Sequence, residues 1–210
     1  MKGLILKDLY YIRNNFKIIF IMIVFFGAIF IREETITMGI AMISFILANI
    51  GVGTITVDEK GNWNKYALTM PLTRKNVVIE KFLFINSLIL LFFFLTSIIA
   101  FPIFNLLNLE MIITMVILLS ILLIITNMQI FIAYKYGGEK TVIYIFGVFG
   151  TIAVLGFVLK KLFPNLLKSI INYIDSINLK VLGLSSITFA LICVGIFFIL
   201  TLNTVNNKEF

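Results

Sequence analysis

The sequence contains no histidine, a single cysteine and very little charge. Its 210 residues are 61% hydrophobic and only 13% charged, whereas a soluble domain carries about 45–50% apolar and about 25% charged residues. Without histidine, catalysis by a histidine base and metal binding by a histidine ligand are excluded. One cysteine, Cys193, allows neither an intrachain disulfide nor a thiolate cluster. Because so few charges cannot cover a water-exposed surface, the composition predicts an integral membrane protein.

Six apolar stretches are candidates for membrane-spanning helices, each of which needs roughly 20 mainly apolar residues. They are Ile18–Ile31, Ile36–Val57, Phe82–Phe104, Met111–Tyr134, Val142–Leu159 and Val181–Leu202. The first is short but continues a preceding helical pattern. A signal peptide is the alternative there, but the charged segment extends to Lys17 and no small-residue cleavage site follows. We expect an all-α membrane protein with six transmembrane helices in a single domain, 1–210.

The basic residues predict how these spans are oriented. Six spans place both termini on one side, and twelve of the 17 lysines and arginines then lie on that side against five on the other. The positive-inside rule therefore places both termini in the cytoplasm.

Two segments outside the spans have the sequence pattern of amphipathic helices. In 1–17, Ile5, Leu9, Ile12 and Phe16 recur at helical spacing, which predicts an interfacial helix on the cytoplasmic side. In 160–180, an apolar face of leucines and isoleucines follows Pro164, which suits a first helical turn. That pattern predicts an amphipathic helix on the extracellular surface. The last span and its cytoplasmic tail follow in 181–210.

The 58–81 segment is the longest polar stretch. It lies between 18–57, which contains spans one and two, and 82–159, which contains spans three to five. Thr56 or Asp58 can cap a short helix, Pro71 breaks it, and a second helix can begin near Thr73 and run into the third span. Its apolar side chains are too many for so small an element to bury: Trp63, Tyr66, Leu68 and Met70. They need lipid headgroups or a partner protein, so the segment is either an interfacial hairpin or a docking element.

Ionisable residues are almost absent within the spans, although pumps and ion-coupled carriers keep such groups at membrane depth. The strong polar groups are Asn49, Asn127 and Gln129, which structural hydrogen bonds between helices explain as well as a substrate path does. Gly51 and Gly53 also allow two interpretations, close packing between helices or a position along a substrate path.

The chain resembles a known family in three places. These are the opening KGLILKDLYYIRNN, the segment DEKGNWNKYALTMPLTRKNVV, and six spans with a helical insert before the last. Together they are similar to ABC type-2 transporter permeases, and within that group to the permeases of phenol-soluble modulin exporters of Gram-positive bacteria. The most specific part lies between Asp58 and Lys75.

The resemblance implies a permease that is not itself an enzyme and binds no cofactor, with ATP and Mg²⁺ in a separate ATPase subunit. The chain has no G-x-x-x-x-G-K-[ST] phosphate loop, which fits that expectation. The implied docking surface for the ATPase, on a coupling helix, consists of Asp58, Glu59, Trp63, Tyr66, Met70, Pro71 and Arg74.

The family also implies a dimer, formed with a second copy or a sister permease, in which spans two and five line the translocation path. Asn49, Gly51 and Gly53 on span two are the candidate path residues. The implied cargo is an amphipathic peptide, moved out of the cell by alternating access. The alternatives are an ATP-independent channel or immunity protein, and an ABC exporter of an antibiotic, a lipid or a cation. An intramembrane protease is disfavoured, because Glu33-Glu34 lacks the arginine that its paired-glutamate motif requires.

Overall fold

In the computed structural model, which describes residues 2–30, 32, 35–69, 73–104, 108–164, 169 and 177–208, every secondary-structure element is helical. The helices are α1 (Lys2–Asn14), α2 (Phe16–Ile29), α3 (Ile36–Lys60), α4 (Trp63–Thr69), α5 (Arg74–Phe104), α6 (Leu109–Tyr136), α7 (Thr141–Leu162) and α8 (Leu179–Asn206). Five of them, α3 and α5 to α8, are long and apolar enough to cross a membrane. The prediction of an all-helical, multi-pass membrane protein is confirmed.

The first predicted span has a different form from the others. Helices α1 and α2 meet at a 63° bend. Alone, the 14 residues of α2 extend about 21 Å, less than the hydrocarbon thickness of about 30 Å. The described residues therefore contain five spans, or six if the bent pair counts as one. The sixth span stays a prediction.

Helix α3 is the centre of the bundle. It packs against α2, α5 and α6, and 56% of its most apolar stretch is buried. One apolar cluster near its beginning includes Ile40 and Ala48 with Phe93 of α5 and Leu119 of α6. Burial of such side chains is worth about 1.5–3 kcal/mol each in water, whereas in lipid close packing takes over that role.

The end of the second span differs from the prediction. Thr56 and Asp58 do not cap a new helix, because α3 continues through both to Lys60. The ion pairs of Asp58 with Lys7 and Lys81 hold this last turn in the helix. The chain breaks at Gly61 and Asn62 instead, and Asn62 takes a left-handed conformation with φ 50°, which asparagine tolerates better than most residues.

The side of α1 that faces the bundle also differs from the apolar pattern. Leu9 and Phe16 are exposed, while Leu4 and Asp8 are buried. Asp8 is buried because it pairs with Lys81 of α5. The helix predicted within 160–180 falls mostly outside the described residues.

Several chain segments meet at one end of the bundle, which we call the hairpin end. It comprises the end of α3, α4, the beginning of α5, and the turn between α6 and α7. Helix α1 reaches it through Lys7, which donates to Asp58. The end of α8 reaches it through the carbonyl of Asn206, which accepts from Arg74. Helix α1 and the end of α8 therefore lie at the same end of the molecule.

Candidate functional site

The 58–81 segment forms a helical hairpin at this end. Its first arm is the last turn of α3, its tip is α4, and its second arm is the first two turns of α5. Thr73 caps α5, since its hydroxyl accepts from the backbone N–H of Asn76 at 3.2 Å. The predicted helix beginning near Thr73 and running into the third span is therefore confirmed. Met70 and Pro71 lie outside the described residues.

A buried ion cluster joins the two arms of this hairpin to α1. Lys81 Nζ lies 2.5 Å from Asp8 Oδ2 and 2.8 Å from Asp58 Oδ2. Lys7 donates to Asp58 and lies 3.3 Å from the second oxygen of Asp8. The Lys81 ammonium also donates to the hydroxyl of Thr54 at 2.8 Å. We call Lys7, Asp8, Asp58 and Lys81 the ion cluster.

Burial makes these charges interdependent. The side chains of Asp8 and Lys81 are each 1% exposed, and that of Asp58 is 8% exposed. Removing one partner of a buried pair leaves an uncompensated charge, which costs about 3–5 kcal/mol. Glu80, next to Lys81, is also buried, and its Oε1 has no hydrogen-bond partner among the described residues. The ion cluster therefore fixes α1, α3 and α5 relative to one another.

The two aromatic residues of α4 differ in exposure. Tyr66 is 62% exposed and Trp63 is half-buried, with its ring centroid 4.8 Å from Lys7 Nζ. This spacing is that of a cation–π contact. Trp63 thus attaches α4 to α1, whereas Tyr66 is available to a partner.

Three further predicted docking residues make contacts within the chain. Asp58 belongs to the ion cluster. Glu59 Oε2 accepts from the backbone N–H of Gly138 at 2.8 Å. The Arg74 guanidinium donates to the carbonyls of Val205 and Asn206 at 3.1 and 2.6 Å, a favourable position for a cation at the end of α8.

An exposed ion pair lies beside the Glu59 contact. Lys60 Nζ lies 2.9 Å from Glu139 Oε1, across the gap between α3 and the α6–α7 turn. The hydrogen bond from Lys60, together with its charge, holds the pKa of Glu139 below its usual value. Because both side chains are largely exposed, this pair adds little to stability.

The three candidate path residues lie in different surroundings. A Cβ atom on Gly51 would lie 3.2 Å from both Ile85 Cγ1 and Leu88 Cδ1, so Gly51 lets α3 approach α5 closely. A Cβ atom on Gly53 would lie 3.4 Å from the hydroxyl of Tyr11. Asn49 is exposed, and its amide donates to Phe45 within its own helix. A role in translocation stays a prediction for all three.

Two asparagines link α5 and α6 inside the bundle. The Asn86 and Asn127 amides donate to each other's carbonyl oxygens, at 3.0 and 2.8 Å. An interhelical hydrogen bond of this kind accounts for Asn127 without a substrate.

A groove of about 610 Å³ lies between α5, α6 and α8. Its lining is mostly apolar, with Leu83, Leu90, Leu191 and Phe198 among its residues. The two polar residues in the lining bond within the protein, since Asn86 donates to Asn127 and Ser87 donates to the carbonyl of Phe84. The groove can therefore accept an apolar chain.

The ion cluster was not predicted from the sequence, although a signal for it exists. Lys7 and Lys81 are among the twelve basic residues on the predicted cytoplasmic side, and Asp8 lies off the apolar face of the predicted interfacial helix. Asp58 and Lys81 are opposite charges next to long apolar runs, at the end of one span and the beginning of the next. Since buried charges are almost always paired, that arrangement could have indicated an ion pair.

Comparison with known proteins identifies one family. A family model described as ABC-2 family transporter protein matches residues 3–206. No curated protein and no solved structure matches the chain.

Proposed function

Because the chain belongs to the ABC-2 family of transporter membrane proteins, we propose that it is the permease subunit of an ATP-driven exporter. A separate ABC ATPase subunit binds ATP and Mg²⁺ and docks at the hairpin end. That end then faces the cytoplasm, together with both termini, in agreement with the excess of basic residues on that side. The permease itself is not an enzyme.

The single observation that supports the docking proposal is that α4 is attached to the ion cluster. A helix of seven residues has little stability in isolation. Here the two arms beside it are joined to each other and to α1 through Asp58, Lys81 and Asp8. A push on α4 therefore moves three helices together, as a rigid element must do to transmit a domain rotation.

We divide the predicted docking residues by their contacts. Tyr66 lies on the exposed surface of α4 and is the residue that meets the ATPase. Asp58, Glu59 and Arg74 hold the hairpin end together through contacts within the chain. This division refines the surface implied by the family resemblance.

A second permease copy, or a sister permease, completes the transporter. Helix α7 supports this proposal because Thr141 is its only buried residue among 141–162. Three glycines along it, at 147, 150 and 156, have open space where a Cβ atom would lie. Small residues let membrane helices approach closely. Helix α7, the fifth predicted span, therefore faces the partner permease and the path.

The proposed cargo is an amphipathic peptide, of the modulin-like or antimicrobial kind, exported from a Gram-positive cell. The near absence of ionisable residues within the predicted spans supports an apolar or amphipathic substrate rather than an ion. Alternating access then follows from tilting one half of the dimer against the other, driven by ATP binding and hydrolysis.

The experiment is to purify the permease with a candidate ABC ATPase subunit, in nanodiscs, and to measure ATP turnover. Tyr66→Asp is compared with Phe163→Asp, which changes another exposed aromatic residue at the end of α7 away from the hairpin. We expect the wild type and Phe163→Asp to bind the ATPase and Tyr66→Asp to lose it. Amphipathic peptides should change the turnover of the wild-type complex.

Each outcome bears on a separate part of the proposal. If no ATPase binds the wild type, the chain is not its permease and a stand-alone channel or immunity protein takes first place. If Tyr66→Asp binds as well as Phe163→Asp does, the docking surface is wrong. If the complex forms and peptides leave its turnover unchanged, the cargo is of another class.

A further inference from the structure

Helix α7 is fixed to the rest of the protomer mainly at its beginning. It packs against α6, and among the described residues 142–162 none is buried. The aromatic rings of Tyr136 and Tyr144 stack across the α6–α7 turn, with centroids 4.2 Å apart. The orientation of α7 therefore depends on how this turn is held.

The turn is held by the end of α3. Gly137 has φ 96°, a conformation that favours glycine. The next N–H, that of Gly138, donates to Glu59 Oε2 at 2.8 Å. Glu59 lies in the last turn of α3, two residues before the break at Gly61 that leads into α4.

The approach of the two segments is too close for a side chain at position 138. A Cβ atom on Gly138 would lie 2.2 Å from Thr56 Oγ1 and 2.7 Å from Thr56 Cα. Because Thr56 Cα is backbone, no change of side-chain conformation can relieve that overlap. The backbone of the α6–α7 turn thus rests directly on the backbone of α3.

We propose that the contact of Glu59 and Thr56 with Gly138, which we call the turn contact, transmits movement of the hairpin to α7. This inference rests on the proposed function, since the movement comes from an ATPase at α4. When the hairpin moves, the end of α3 carries the turn with it. Helix α7 then tilts about its first residues, because little else in the protomer holds it.

In this assignment Glu59 is a positioning residue and does not touch the ATPase. Its carboxylate holds the turn through a hydrogen-bond acceptor, so glutamine, which keeps a carbonyl oxygen, serves the same purpose. Alanine does not. Gly138 is required for the close approach, so even alanine at that position separates the turn from α3.

The test measures the distance between spin labels on cysteines introduced at Leu162 and Leu184, in a Cys193→Ser background in nanodiscs. Both positions are more than 60% exposed in the protomer, so the labels do not disturb packing within it. Dilution with unlabelled permease isolates the distance within one protomer. The variants are Glu59→Ala and Gly138→Ala, and the controls are Glu59→Gln and Gly27→Ala, where an added Cβ meets no atom within 4 Å.

For the permease alone, we expect a narrow distance distribution in the wild type and both controls, and a broad one in Glu59→Ala and Gly138→Ala. For the complex with the ATPase, ATP should shift the mean distance in the wild type and controls. The two variants should lose that shift while the ATPase stays bound. A purely structural role for Glu59 would not predict loss of an ATP response with rescue by glutamine.

The inference is overturned if Gly138→Ala keeps the wild-type distribution, or if it keeps the ATP-dependent shift. Failure of the proposed function is a different result, because then no ATPase binds even the wild type. The width of the distribution in the permease alone tests the turn contact in either case.

Discussion

Lys81 of α5 and Asp8 of α1 are 73 positions apart in sequence, yet their charged atoms lie 2.5 Å apart and both side chains are buried. The same ammonium lies 2.8 Å from Asp58 of α3. One lysine of α5 thus joins α1 to α3. Without it, the buried carboxylates of Asp8 and Asp58 would share one cation, the partly exposed Lys7.

Lys81→Met should destabilise the protein by about 3–5 kcal/mol, because it removes a buried cation and leaves the carboxylates of Asp8 and Asp58 with Lys7 alone, whose side chain is 27% exposed. The effect is measured as the temperature of thermal unfolding in detergent. Unfolding is detected by the reaction of Cys193 with a fluorescent maleimide. Lys60→Met is the control, since Lys60 pairs with Glu139 at the surface, and its unfolding should match the wild type. Equal unfolding temperatures for the two variants would show that the ion cluster does not stabilise the fold.

Gly51→Leu should destabilise the protein by about 1–3 kcal/mol through overpacking between α3 and α5. A Cβ atom there already lies 3.2 Å from Ile85 Cγ1. Gly27→Leu, at a glycine with open space around it, should unfold like the wild type. If Gly51→Leu kept full stability and lost only transport, the residue would line a path rather than a packing contact.

Asn86→Leu and Asn127→Leu should each destabilise the bundle, and the double variant should show positive coupling between them. Each single change leaves the other amide without its interhelical partner, and couplings of this kind in membrane proteins average about 0.6 kcal/mol. A double-mutant cycle by chemical unfolding provides the measurement. Asn49→Leu is the matched control, because the Asn49 amide bonds within its own helix. Additive effects of the two single variants would contradict the interhelical pair.

Arg74→Ala should loosen the end of α8, because the guanidinium donates to the carbonyls of Val205 and Asn206. Hydrogen–deuterium exchange of the peptides covering 200–208 should become faster, while the first half of α8 keeps its protection. Lys75→Ala, which changes the exposed neighbour, should leave both regions unchanged. Unchanged exchange in Arg74→Ala would show that α8 needs no cation at this end.

Long apolar runs predicted the later spans well, because a run such as 82–104 has no alternative to crossing the membrane as a helix. The start of α5 near Thr73 was predicted for a local reason, since a threonine cap acts on the next turn. The end of α3 was predicted wrongly, because Asp58 has the chemistry of a cap and only distant residues show otherwise. Its partner Lys7 is 51 positions away.

The candidate site was predicted only in part, because several of its contacts join segments that are far apart in the sequence. Tyr66 is an exposed aromatic in a short polar segment, and composition alone indicates that it meets lipid headgroups or a partner. The contacts of Glu59 with Gly138 and of Arg74 with Val205 join segments 79 and 131 positions apart. Spacing patterns within one segment carry no information about such contacts.

The most direct test of the docking assignment is photo-crosslinking from position 66 in the assembled complex. A photoreactive phenylalanine replaces Tyr66 in one sample and Phe163 in another, and the ATPase subunit is co-expressed in both. The account predicts a crosslink to the ATPase from position 66 and none from position 163. An ATPase that co-purifies with the permease without crosslinking from position 66 would contradict docking at the hairpin end.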